Sequence, residues 1–180
     1  MKKIHHYYWK LIGWRLYRFK ISIINLIKWF PVIWKDRNWD DWFIWEILKF
    51  KLTNQANYIS KKDRHTAAQY DAQKMMLCVR LIEKVQDEYY AMEYMDYFED
   101  EFKFVTCEDK PGYSKLEIDE ISNIFEEYVI KYYSTYRKII RSNNCADSKC
   151  IAMKMGQYNH EKAKRILFKL LNTHIEGWWD

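Results

Sequence analysis

Residues 66–102 read TAAQYDAQKMMLCVRLIEKVQDEYYAMEYMDYFEDEF, and the spacing of their apolar positions decides the fold class. Ala68, Ala72, Met75, Val79, Ile82, Val85, Tyr89, Met92 and Met95 recur at three- and four-residue steps, which puts them on one face of an α-helix. The pattern predicts one helix, opened by Asp63 or Thr66 and carried as far as Phe102. That is about ten turns, enough for the spine of a bundle or a protruding arm. Acids from Glu83 to Glu101 load its second half, the usual mark of a solvated face.

Working outward, the flanking segments repeat the helical spacing. Tyr7, Leu11, Trp14, Tyr17, Ile21, Ile24 and Ile27 predict a first helix from about His6 to Phe30, which Pro31 ends or kinks. After the polar turn Lys35-Asp36-Arg37-Asn38, Asp36 or Asn38 is placed to cap a second helix, with Asp40 and Asp41 in its first turn. Its tryptophans at 42 and 45, with Phe43, Ile47 and Leu48 in other directions, predict the most buried segment of the chain. Pro111-Gly112 marks a turn, and Ser114 with Glu117 has capping-box spacing for a helix to about Ile140. Residues 151–156 read as a short extended piece before Asn159 caps a last helix from His160 to about Ile175, and a short two-stranded element is expected near 103–106 and 150–155. The expectation is all-α: a single-domain bundle of about five helices over 1–180, divided into 1–35, 36–105 and 106–180.

Composition agrees with long elements, because 180 residues hold only 4 Gly and 2 Pro. Aromatic content is high, at 9 Trp, 15 Tyr and 9 Phe, so some rings are expected on the surface. Charge is segregated. Residues 1–35 carry eight Lys/Arg and no acid, whereas 83–127 carry fifteen acids against four bases. Opposite blocks predict self-association, most simply a two-fold dimer in which the basic first helix approaches the acidic middle, with pairing inside one chain as the competing account.

The four cysteines, 78, 107, 145 and 150, follow no leader-like segment, so reduced thiols are expected. Ile21 to Trp34 is apolar but short and interrupted by Lys28 and Pro31, so it is not expected to cross a bilayer, although it suits a membrane surface. Glycines fall only at 13, 112, 156 and 177, which excludes a P-loop and a dinucleotide fingerprint. No nucleophile elbow, zinc-spaced histidine pair or Cys-His signature is present. The expectation is a protein without catalytic residues, metal or cofactor.

Residues 27–40, IKWFPVIWKDRNWD, resemble the opening signature of a family of small uncharacterised tailed-bacteriophage proteins, as do MLCVRLIE at 76–83 and the stretches 159–161, 167–171 and 174–180. The resemblance spans residues 27–180, and the family often has Asp where Asn38 stands. It implies a phage setting, hence the cytoplasm of an infected bacterium, and no particular activity.

A small aromatic-rich protein in that setting is expected to bind. The leading expectation is an anti-defence protein that sequesters a nucleotide-type immune signal, stacking the base on rings and holding phosphate with Arg or Lys. Its site is placed on Lys10, Trp14, Arg15, Arg18, Trp34, Arg37 and Trp39, joined by His174 and Trp178 if the last helix packs along the first. The alternative is a protein-interaction or nucleic-acid-binding module, an inhibitor of a host protein, acting through the basic N-terminal helix.

Overall fold

A computed structural model describes residues 2–37, 42–63, 65–106, 112–142 and 147–179, with the side chains of 2–11, 118–121, 123 and 179 outside that description. Among the described residues the chain is mostly helical: α1 (Lys2–Ile33), α2 (Trp42–Lys62), α3 (Ala68–Gln86), α4 (Tyr89–Met92), α5 (Phe125–Lys131), α6 (Tyr133–Ser142) and α7 (Ser148–His174). A two-stranded antiparallel hairpin, β1 (Phe98–Thr106) and β2 (Ser114–Asn123), lies between α4 and α5. The chain divides into two compact units, 1–51 and 52–180.

Unit 1 holds α1 and the first part of α2. Pro31 does not end α1, which continues to Ile33 and closes with the Trp34 N–H donating to the Phe30 carbonyl at 2.9 Å. The missing proline N–H frees only a carbonyl at an exposed turn, a cost the last turn absorbs. Trp29 packs edge-on against Phe50 of α2, centroids 4.8 Å apart. The expectation that the tryptophans of α2 form the deepest core is overturned: Phe43 is buried, but Trp42 is 44% exposed and Trp45 half-buried.

The core lies in unit 2. Met75, Cys78, Val79 and Ile82 of α3 are buried, as are Ala152, Met155, Ala163 and Leu167 of α7. Tyr128, Ile139, Ile151, Ala152 and Met155 form one cluster, with the rings of Tyr94, Tyr97, Phe98, Phe125, Tyr132, Tyr136 and Tyr158 packed against it. Much of the aromatic surplus is therefore structural.

Three expectations for this unit are corrected. The long central helix stops at Gln86, where Glu88 adopts a left-handed conformation (φ 49°) and turns the chain into α4. Such a residue costs about 1–2 kcal/mol, so packing beyond it must compensate. That packing is the approach of α4 to α7, whose Gly156 leaves room for the carbonyls of Tyr90 and Ala91.

Residues 114–123 form a strand, not the start of a helix. Phe102 and Phe104 alternate with charged residues, as do Leu116 and Ile118, and the period of two prevails once the two runs pair, Phe104 opposite Leu116. The partner of 103–106 is thus 114–117, and 150–155 belongs to α7. A bulge between Glu99 and Asp100 shifts the register near the start of β1.

The extended piece at 151–156 is helix throughout, because Asp147 caps α7, accepting a hydrogen bond from the Cys150 N–H at 3.1 Å. Asn159 then falls mid-helix and buried, accepting from Thr135 Oγ1 at 2.8 Å. The expectation of reduced thiols is corrected in part: Cys78 is free, its thiol pushed up to about 11 by burial, whereas Cys150 is disulfide-bonded.

Candidate ligand-binding sites

Of the nine residues expected to form one site, those of residues 12–37 whose side chains are described are exposed. Lys10 lies on the helix with its side chain outside the description, and Trp39 falls outside the described residues. Trp14 is 56% exposed, and the Arg18 guanidinium stands over its ring at 4.7 Å. Arg15 is exposed. Trp34 is exposed with its ring 5.2 Å from Phe30, and Arg37 donates to the Asp36 carbonyl at 3.0 Å. Trp14 and Trp34 are some 30 Å apart along the axis at 1.5 Å per residue. A straight rod cannot converge both rings on one small ligand, so α1 offers a surface.

His174 and Trp178 belong to unit 2. His174 packs edge-on against Tyr70, centroids 6.3 Å apart. Trp178 is 2% exposed, so it serves as core and has no free face for a base.

Two cavities in unit 2 carry chemistry that the sequence did not reveal. The larger, about 620 Å³, lies between the start of β1 and the start of α7. Phe98, Phe102, Tyr94, Met95 and Met153 give it an apolar lining, while Glu99, Asp100 and Asp147 face a single cation, Lys149. Lys149 is already bound to Asp100 at 2.5 Å. Its excess negative charge disfavours a phosphate.

The smaller cavity, about 310 Å³, is lined by Tyr90 of α4, Lys131 of α5, Tyr132 between α5 and α6, Ser134 and Thr135 at the start of α6, and Asn159 and Lys162 of α7, with Leu81, Ala163 and Ile166 as its apolar part. Beside it Glu93 is 6% exposed and is held by Lys131 and by the Tyr132 hydroxyl, which donates at 2.5 Å. The hydrogen bond to Glu93 pushes the Lys131 ammonium well above its ordinary range. Burial, then the same carboxylate, pushes the Tyr132 phenol up as well. Near neutral pH Lys131 is therefore a cation neutralised by Glu93, and Tyr132 an un-ionised donor.

Among the described residues Lys162 forms no ion pair, which leaves the cavity lining one net positive charge. The Lys84 ammonium adds to the field, 5.1 Å from the Tyr90 ring. The Asn159 amide nitrogen is buried without a hydrogen-bond partner. In the sequence Tyr132 falls inside the helix expected to reach about Ile140, and Asn159 falls where a cap is expected. The available signal was Glu93, an acid among Tyr89, Tyr90, Tyr94 and Tyr97 that burial would force to find a cation.

Comparison with family models, with curated proteins and with solved structures finds no match. Among the described residues, no helix is long and apolar enough to cross a membrane, and no group of three or more His, Cys, Asp or Glu is arranged to hold a metal ion.

Proposed function

We propose that this chain is a phage accessory protein that binds a nucleotide-type anion without turning it over, and that the ligand occupies the 310 Å³ cavity of unit 2. The observation that carries this reading is the convergence there of two tyrosine rings, the unpaired ammonium of Lys162 and the hydroxyls of Ser134 and Thr135. The volume falls at the lower end of the range for small-molecule sites. A base against Tyr90 or Tyr132 contributes about 1–3 kcal/mol by stacking, and Lys162 supplies the charge for phosphate. Sequestering an immune signal in the infected cytoplasm is the role such binding fits in the setting the sequence suggests.

Calorimetry with a panel of cyclic and linear nucleotides tests it. One member of the panel is expected to bind, Lys162→Ala and Tyr90→Ala to weaken it at least tenfold, and Arg15→Ala and Arg18→Ala to leave it unchanged. No binding across the panel, or binding indifferent to Lys162 and Tyr90, sinks the assignment.

A second reading rests on α1. Its exposed rings, its cations and the absence of any acid in residues 1–35 suit a nucleic acid or an acidic host protein. Affinity for single-stranded DNA that falls steeply with salt would favour this reading over the first.

A further inference from the structure

We infer that α1 is a self-association helix whose partner is α1 of a second copy of this chain. Ile12, Leu16, Phe19, Ile23, Leu26, Phe30 and Ile33 follow one another at alternating steps of four and three, an unbroken heptad repeat across three heptads. Each of these side chains is exposed, from 41% at Ile23 to 66% at Phe19, so among the described residues of unit 1 nothing covers the seam. Pro31, the one residue that could distort a helix pair, lies off the seam.

The period identifies the occupant. A repeat of 3.5 residues keeps a seam facing another α-helix that winds around it, whereas a lipid surface imposes no such period. A membrane-bound helix also gathers its cations opposite the apolar face. At 100° per residue Arg15 and Lys20 flank the seam on either side, and of the four cations of residues 12–33 only Lys28 stands opposite it.

The buried area is sufficient. Seven half-exposed side chains of this size offer on the order of 90 Å² each, so two seams cover on the order of 1,200 Å², the lower edge of a standard interface. The seam differs from an encounter between the basic helix and the acidic middle in one measurable respect. It joins two segments of the same sign, so added salt screens their repulsion and strengthens association, while attraction between opposite blocks weakens.

Sedimentation velocity of the full chain, from about 5 to 100 µM at low and at about 0.5 M salt, is the test. The expected result is a concentration-dependent oligomer, stronger at high salt, that Leu16→Asp with Leu26→Asp reduces to monomer at unchanged helical content. Tyr17→Asp with Ile24→Asp, exposed but off the seam, is expected to leave it intact; Leu16→Gln with Leu26→Gln serves as a milder seam pair should the aspartates unfold the helix. A monomer at all concentrations overturns the inference, as does equal dissociation by seam and control variants, or a wild-type monomer that instead co-floats with phosphatidylserine vesicles. The outcome is independent of nucleotide binding in unit 2.

Discussion

Gly156 marks a close approach of α7 to the backbone of α4. A Cβ there would stand 2.8 Å from the Ala91 carbonyl oxygen and 3.0 Å from that of Tyr90, both backbone atoms with little freedom to retreat. Gly156→Ala gains up to about 1 kcal/mol of helix propensity yet overpacks the contact, for which costs run about 1–3 kcal/mol. A net loss of stability in urea denaturation is the expected outcome, and a stabilised variant would contradict the α4–α7 packing. His160, four residues beyond Gly156, has its imidazole held below the usual 6.5 by burial first and by Lys164 second, against the opposing pull of Glu161 and Glu88. A depressed histidine is kept neutral by folding, so its stability is fully present above about 6.5 and is lost as pH falls toward the folded value. The stability difference between wild type and His160→Gln should therefore change between pH 7 and 5 and stay constant from 7 to 8. A flat difference over the whole range would show that the ring is solvated.

At the level of elements, α3 and the hairpin show how one spacing can be read two ways. Residues 89–95 keep the apolar rhythm of α3, yet the chain breaks at Glu88 because the short α4 gains more from α7 than a longer helix gains from solvent. The hairpin is held by its backbone ladder, and its side chains are largely open: Phe104 is 76% exposed and its partner Leu116 46%. Replacing both with Thr should therefore shift stability by less than about 1 kcal/mol, since neither leaves a cavity. Met75→Ala in α3, fully buried, should cost about 2–5 kcal/mol. Thermal melts of the two variants compare the elements directly, and a larger loss in the hairpin variant would move the core.

For the whole molecule, ligand binding in unit 2 and self-association through α1 are separable by their response to conditions. A nucleotide at about a hundred times its dissociation constant should add about 2.7 kcal/mol to unfolding stability, without dependence on protein concentration. Scanning calorimetry at two protein concentrations checks this, and stabilisation that tracks protein concentration would assign the effect to association instead. The amino-acid sequence by itself determined the helical character, since scarce Gly and Pro and repeated three- and four-residue spacing are local properties that need no partner to be read. It also determined the basic, acid-free character of residues 1–35. It did not determine where helices stop: Glu88 ends α3 and Gly156 sits inside α7 because of one contact between residues about 65 positions apart in the sequence. Nor did it separate core rings from surface rings, since Trp178 and Trp34 look alike in sequence, yet one is 2% exposed and the other 72%. The candidate cavity belongs to the same class of fact. Its tyrosines, lysines and asparagine come from α4, α5, α6 and α7, and only the packing of those helices brings a buried carboxylate, its cation and a second, unpaired cation together.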